Sequence, residues 1–218
     1  MKKNCLLMFG HMRYIDVNYI NNFFSDFDVF IHSSNTHDFI DQINSITNLK
    51  QYESSTYDFS YLPEYKQRGR VRNIHSMWRS VNICGSMKIK HEELMNQKYE
   101  RVLIQRSDLI FNSSIPYDSI DYNTICTHDT NYKNDCFGFV NDHMCLTNSE
   151  NADKYTSLFN YITDYLNRPI EFVSEIILRV HLEEMKLKHS MCIFDYSIKA
   201  RNIHGEPDDW KSIDRRNH

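Results

Sequence analysis

The chain contains little glycine and proline, with 5 Gly and 4 Pro among 218 residues. It has no Gly-x-Gly-x-x-Gly fingerprint, which weakens a dinucleotide-binding function, and no P-loop, which argues against a P-loop kinase. It also lacks the Gly-x-Ser-x-Gly elbow of serine hydrolases and the His-Glu-x-x-His motif of zinc proteases. A functional site therefore has to be sought from the positions of polar residues relative to the predicted strands.

Basic residues are not in excess, since 25 Lys and Arg stand against 29 Asp and Glu, a formal net charge of −4. A nucleic-acid-binding domain normally carries a basic surplus, so we expect no nucleic-acid partner. One basic cluster runs from Lys66 to Arg72. It is either a solvated loop or, because arginine pairs well with phosphate oxygens, a phosphate-binding loop that includes Arg72.

Long apolar segments and cysteine motifs are also missing. No segment reaches the length of a membrane span, and the first apolar run, Cys5 to Phe9, is too short for a signal peptide and lacks a small-residue cleavage site. The 6 cysteines form no Cys-x-x-Cys pair and lie mostly in apolar runs, which predicts reduced core thiols. We therefore expect a cytoplasmic protein without a transmembrane segment.

The hydrophobic pattern that is present predicts an α/β domain. The apolar runs Cys5–Phe9 and Asp28–His32 flank a segment with helical spacing, Ile15–Phe24, and this order implies parallel strands. Further strands are predicted over residues 101–105, 124–127, 137–140, 143–147 and 191–194. No repeat or low-complexity linker divides the chain, so we expect one α/β domain with a mostly parallel central sheet and helices on both faces.

The remaining helices are predicted from apolar residues at helical spacing, over residues 38–49, 74–97, 152–166 and 173–187. A long loop is expected between the first two, up to residue 72, and long loops are often functional. Gly85 is a weak point of the helix over 74–97, and His91–Glu93 is expected on its solvated surface.

Ligands of open α/β sheets bind beyond the carboxyl ends of the strands, and three polar segments qualify. Gly10–Arg13 is either an anion site, with backbone N–H groups and a guanidinium ahead of a helix, or an ordinary turn. Arg106–Asp108 places a carboxylate after a buried strand, where its partner is a cation, a sugar hydroxyl or Arg106 itself. In Asn134–Gly138, Asp135 either acts on a substrate hydroxyl or occupies a turn.

In this order the segments resemble the small GT-A-type glycosyltransferases of bacterial surface-polysaccharide clusters and large viruses. The resemblance rests on the opening Leu6–Arg13, on Asp28–His32, and on Tyr99–Leu109, which is similar to a Tyr-Asp-x-Val-Ile-x-x-Arg-x-Asp-Leu segment of that family. A later Asp-x-Phe-x-x-Gly strand and a glutamate that opens a C-terminal helix are also usual there. Asp135–Gly138 and Glu175 are similar to these features, so the resemblance covers most of the chain.

The resemblance implies a single Rossmann-like GT-A domain over residues 1–218, with a nucleotide-binding half at about 1–112 and an acceptor half at about 113–218. It implies a hexosyltransferase that moves a sugar from a UDP- or GDP-sugar to a glycan acceptor, with Mn²⁺ or Mg²⁺ as cofactor. The catalytic residues implied are Asp135 and Glu175. The residues implied in nucleotide-sugar binding are Gly10, His11, Arg13, Arg72, Arg106, Ser107 and Asp108.

The metal motif departs from the pattern of the family. Asp108 stands for the last acid of a DxD-like motif, but Arg106 occupies the first position. One carboxylate must then suffice, or His204, otherwise a residue of the polar tail, supplies a second ligand. Both an inverting reaction, in which a carboxylate deprotonates the acceptor hydroxyl, and a retaining one, which needs no such base, fit the sequence.

Two other functions fit the residues. Arg106 in place of the first acid also suits a non-catalytic nucleotide- or glycan-binding domain. Four residues suit a metal-dependent hydrolase, namely His128, Asp129, Asp142 and His143.

Overall fold

The centre of the structure is a seven-stranded sheet, seen in a computed structural model that describes residues 2–34, 36–60, 69–129, 140–201 and 207–210. The strands are β1 (Asn4–Phe9), β2 (Phe27–Ser33), β3 (Leu49–Ser54), β4 (Arg101–Arg106), β5 (Leu109–Phe111), β6 (Ile125–His128), β7 (Met144–Thr147), β8 (His189–Cys192), β9 (Tyr196–Arg201) and β10 (Pro207–Trp210). The large sheet has the order β3-β2-β1-β4-β7-β6-β8, and β10-β9-β5 form a small antiparallel sheet.

The large sheet is mostly parallel, as predicted. β1 runs parallel to β2 and β4, β2 to β3, and β6 to β8, whereas β7 is antiparallel to both of its neighbours. The helices are α1 (Val17–Phe23), α2 (Ile40–Asn44), α3 (Gly69–Met95), α4 (Ser149–Thr156), α5 (Ile162–Leu166) and α6 (Ser174–Glu184). The protein is therefore an α/β protein, which confirms the predicted class.

Helices cover both faces of the sheet because alternate side chains of its strands point to opposite sides. Leu7 and Ile104 belong to one core cluster, together with residues of α3 to α6. Leu6 and Leu103 belong to a second cluster, together with residues of α1 and α2. Each fully buried aliphatic side chain of this size contributes about 1.5–3 kcal/mol, so β1 and β4 anchor both layers.

Helix α3 is longer than predicted and runs unbroken for 27 residues. Gly85 does not interrupt the helix. The glycine is needed for the close approach of α4, since a Cβ at this position would lie 2.3 Å from Thr156 Oγ1. Trp78 on the same helix is fully buried. The expectation that His91–Glu93 is solvated is wrong for Glu92, which is buried and binds Lys88, Lys98 and Ser149.

Three predictions of secondary structure need correction. The helix over 38–49 is a 3₁₀ turn, Thr36–Phe39, followed by the short α2, and the expected long loop contains β3. β3 was missed because it lies at the edge of the sheet and none of its residues is buried. The helix over 152–166 is divided into α4, a 3₁₀ segment and α5. Residues 137–139 of a predicted strand lie outside the part that the structure describes.

Four of the cysteines, Cys5, Cys84, Cys126 and Cys145, are buried free thiols, and Cys192 is a half-buried one. The prediction of reduced core thiols is confirmed for these residues, and Cys136 lies outside the described ranges. No helix within those ranges is long and apolar enough to cross a membrane.

Candidate active site

A pocket of about 510 Å³ lies at the carboxyl ends of β1, β2 and β4. Phe9 pairs with His32 of β2 on one side and with Arg106 of β4 on the other, so the three strands end at the same level. The chain order changes direction at β1, because β2 lies on one side of it and β4 on the other. Such a switch point opens a crevice between the loops and is the usual ligand site of an open α/β sheet.

The loop after β1 forms one wall of this pocket. Gly10 has a φ of +104°, which an L side chain rarely adopts, and its N–H donates to Ser80 Oγ at 2.9 Å. The next turn is held by the Met12 N–H, which donates to Ser33 Oγ at 3.1 Å. His11 and Arg13 are exposed and line the pocket, and their role in ligand binding stays a prediction.

A hydrogen-bonded network around the buried His32 borders the pocket, because its Ser80 also accepts from the N–H of the lining residue Gly10. The Nδ1 of His32 lies 2.8 Å from Ser80 Oγ and its Nε2 lies 2.9 Å from Ser55 Oγ. Burial, helped by the charge of Arg79, lowers the pKa of His32 to about 4, so the imidazole is neutral near pH 7. Tyr57 also lines the pocket. Sequence reasoning missed this network, because the contacts join β2 to α3 and to the segment after β3.

The first turns of α3 form the opposite wall with Arg72, Asn73 and Ser76. The guanidinium of Arg72 lies 5.1 Å from the centre of the Phe59 ring, a cation–π distance that orients its planar group. The basic cluster is therefore not a loop from Gly69 onward but the start of a helix, while residues 66–68 lie outside the described part. Arg72 lines the pocket, and its role in phosphate binding stays a prediction.

Arg106 and Asp108 close the pocket beyond β4. Arg106 Nε donates to Asp108 Oδ1 at 2.8 Å, and Nη2 donates to Oδ2 at 2.7 Å. Asp108 is 3% exposed, and its peptide oxygen accepts from the Lys199 N–H at 2.7 Å. Burial opposes the charge of Arg106, but the hydrogen bonds and charge of Asp108 outweigh it and raise the pKa of the guanidinium. Ser107 N–H donates to Phe9 O at 3.0 Å, which ties this turn to β1.

A second acidic cluster lies on the other side of Arg106. Burial raises the pKa of Asp142, which accepts a hydrogen bond from Ser174, and Ser174 Oγ in turn accepts from Trp78 Nε1 at 3.1 Å. Glu175, in the first turn of α6, is half-buried, and burial together with the charge of Asp142 raises its pKa. Sequence reasoning considered Asp142 only as a hydrolase ligand, because its closeness to Arg106 depends on the antiparallel pairing of β4 with β7.

Of the two predicted metal ligands, Asp108 and His204, only Asp108 lies within the described residues. Both oxygens of Asp108 are engaged by Arg106. No group of three or more His, Cys, Asp or Glu side chains that suits a metal is found among the residues that the structure describes. His204 and Asp135 lie outside them, so the metal role of His204 and the catalytic role of Asp135 stay predictions. Mn²⁺ and Mg²⁺ often bind through one or two carboxylates together with water and phosphate oxygens, but the carboxylate of the described pocket lining, Asp108, is already held by Arg106.

Tyr196 lies next to both histidines of the alternative hydrolase, and His143 Nε2 lies 4.0 Å from Asp142 Oδ1. The Tyr196 ring lies 4.8 Å from the His128 ring and 6.2 Å from the His143 ring, measured between centroids. The Nδ1 of His143 lies 2.9 Å from Tyr196 Oη, and burial together with the charge of Arg106 lowers the pKa of His143 to about 4. His128 Nδ1 accepts from the Phe194 N–H at 3.1 Å. Both rings are thus engaged in hydrogen bonds that stabilise the small sheet.

No protein-family model matches this sequence, and no curated protein is significantly similar to it.

Proposed function

We propose that the chain is a glycosyltransferase of the GT-A type, which binds a nucleotide sugar in the pocket between β1 and β4 and transfers the sugar to a glycan acceptor. The observation that carries this proposal is the convergence of Arg13, Arg72 and Arg106, from three separate elements, on one pocket of about 510 Å³ at the switch point of the sheet. Three guanidinium groups suit a ligand with adjacent phosphates. A cytoplasmic location belongs to the same proposal.

The reaction needs positive charge at the leaving group. When the glycosidic bond of a nucleotide sugar breaks, negative charge develops on the departing nucleoside diphosphate, and fixed cations near that oxygen lower the barrier. Arg106 suits this role, because its two bonds to Asp108 hold the guanidinium in one orientation at the rim of β4. Fixed orientation matters here, since a preorganised charge needs no rearrangement as the bond breaks.

The acceptor would approach from the side of Asp142 and Glu175. We assign the general base to Glu175, which is half-buried and close enough to Asp142 and His143 to interact with both electrostatically. A raised pKa makes a carboxylate a better proton acceptor. Asp135, the other predicted catalytic residue, is kept as a contact for the acceptor. This arrangement corresponds to an inverting reaction.

The proposed division into two functional halves is supported by the same positions. The described residues that line the pocket fall between Phe9 and Asp108, within the proposed nucleotide-binding half of about 1–112. Asp142 and Glu175 come from the proposed acceptor half, about 113–218. We propose that the halves form a single GT-A domain, because β4 and β7 pair along four residues in the centre of one sheet.

A non-catalytic nucleotide-binding domain is the second candidate. The Arg106–Asp108 ion pair favours this candidate. The pair engages the carboxylate that would bind the metal in a metal-dependent glycosyltransferase. Such a domain would hold the nucleotide with the same arginines but would release no product.

The test is to incubate the protein with a panel of UDP- and GDP-sugars, with and without Mn²⁺, and to measure free nucleoside diphosphate and the melting temperature. We expect at least one nucleoside diphosphate to raise the melting temperature and its sugar derivative to be hydrolysed or transferred. Binding without release of product would favour the non-catalytic domain. If no compound of the panel is bound and none is turned over, the proposal is refuted.

A further inference from the structure

We propose that guanidinium groups, rather than a divalent cation, hold the diphosphate of the ligand in this pocket. This inference rests on the proposed function, because it concerns the same site, but it makes a separate statement about how the phosphates are bound. The charge of the pocket, the state of Asp108 and the positions of Arg13 and Arg72 support it independently.

The charge of the lining suits a diphosphate without further cations. Among the described residues, the side chains that line the pocket include three arginines, Arg13, Arg72 and Arg106, and one acid, Asp108. Because Asp108 is neutralised by Arg106, two positive charges remain unbalanced within this described part of the lining. A diphosphate that links a nucleoside to a sugar carries one negative charge on each phosphate, which matches this excess.

Arg106 stands where a metal would have to bind. A cation coordinated by Asp108 would displace the hydrogen bonds of 2.8 and 2.7 Å and would lie against the displaced guanidinium, with like charges in contact. In the arrangement present, those two bonds use two of the five N–H donors of arginine, which leaves three for phosphate oxygens. Asp108 therefore acts as a positioning residue that fixes the guanidinium.

The other two arginines face the pocket from the opposite wall and from the β1 loop. Arg13 and Arg72 are exposed, and neither has an ion pair with a carboxylate in the described part of the chain. Arg72 lies in the first turn of α3, where the backbone N–H groups and the dipole of a 27-residue helix also favour an anion. The guanidinium of Arg72 also lies within cation–π distance of the Phe59 ring, which restricts its position.

Isothermal titration of the full chain with UDP, GDP and inorganic pyrophosphate, each in EDTA and in Mn²⁺, tests the inference. We expect the affinity in EDTA to stay within about threefold of that in Mn²⁺, since charged hydrogen bonds from arginine supply the binding energy. Arg72→Gln should weaken binding in EDTA by about tenfold or more. Arg72→Lys keeps the charge but not the planar fork, so its affinity should lie between those of the unaltered protein and of Arg72→Gln.

The matched control is Arg70→Gln, in the same turn of α3, where the side chain lies 3.8 Å from Glu171 and does not line the pocket. We expect this variant to bind like the unaltered protein. A ligand that binds only with Mn²⁺, or an Arg72→Gln variant that binds normally, would overturn the inference and leave the proposed function standing. Metal-free binding of pyrophosphate without binding or turnover of any nucleotide would overturn the proposed function and leave the inference standing. Absence of binding under all conditions would overturn both the inference and the proposed function.

Discussion

The guanidinium of Arg106 holds both carboxylate oxygens of Asp108, through Nε at 2.8 Å and Nη2 at 2.7 Å. The two residues are separated by Ser107 alone, whose N–H bonds to β1 and turns the backbone so that the side chains meet. The pair satisfies a nearly buried carboxylate at the end of a core strand and at the same time orients a cation toward the pocket. Arg106, two residues before Asp108 in the sequence, thereby acquires a physical role.

Asp108→Asn separates the two roles of this carboxylate. The amide keeps the shape of the side chain but removes its charge, so the pocket becomes more positive. We expect the affinity for UDP or GDP in EDTA to stay within about threefold or to increase, and the free energy of unfolding to fall by about 1–3 kcal/mol because a charge-assisted pair is lost. Titration calorimetry and urea denaturation measure these changes. A loss of affinity that appears only in Mn²⁺ would instead assign Asp108 to a metal.

Glu175→Gln tests the assignment of the base. A glutamine cannot accept the acceptor's proton, so kcat should fall by about 10²–10⁴-fold while donor affinity stays unchanged. Because the pKa of Glu175 is raised and the base acts when ionised, kcat of the unaltered protein should increase with pH through that raised pKa and then level off. The control is Glu171→Gln, an exposed glutamate ahead of the same helix. Equal kcat values for both variants would remove Glu175 from the mechanism.

His32 should make stability depend on pH. Its folded pKa of about 4 lies below the ordinary histidine pKa of 6.5, so the unfolded chain binds more protons between these values. Stability is therefore present above pH 6.5 and falls as the pH approaches 4, by about 1.4 kcal/mol per unit for this one proton. Melting temperatures from pH 7 to pH 4 measure the slope, which His32→Gln should reduce.

His143 and His75 also have pKa values lowered to about 4 by burial, so part of the slope should remain in His32→Gln. His11→Gln, which alters an exposed histidine of the same pocket, is the control for a change of residue type. An identical slope in His32→Gln and the unaltered protein would contradict the prediction.

Lys88 provides a test of the core opposite the pocket. The side chain is fully buried, and its Nζ lies 2.9 Å from Glu92 Oε2. Lys88→Met should destabilise the protein by about 3 kcal/mol, because removal of one partner leaves a buried charge less well compensated. Lys154→Met breaks a pair of the same spacing, with Glu150 at 2.8 Å, on the exposed face of α4. We expect that control to keep the denaturation midpoint of the unaltered protein, and equal effects would contradict the prediction.

The sequence predicted the strands that are buried on both faces. β1, β2 and β4 each contain at least three consecutive apolar residues, and such runs can be recognised without knowing which strands pair. β3 escaped recognition because an edge strand exposes part of every residue. The small sheet was missed for another reason: β9 pairs with β5, and register between segments almost ninety residues apart is not encoded in local periodicity.

The candidate site shows the same division. Gly10–Arg13 and Arg106–Asp108 were recognised because each directly follows a buried strand. The sequence also offered an ion pair between Arg106 and Asp108 as one alternative, and the structure contains that pair. The network of His32 with Ser80 and the proximity of Asp142 to Arg106 were not recognised, since both depend on which helix and strand pack together.

By itself, therefore, the sequence determined the α/β class, the parallel strands at the centre and the segments that end at the carboxyl edge, because hydrophobic periodicity is a local property. Only the tertiary structure decided that Arg13, Arg72 and Arg106 share one pocket and that Asp108 is neutralised by Arg106. The physical reason is that charge compensation depends on distance in space, and β1, α3 and β4 bring these groups together only when the sheet is assembled.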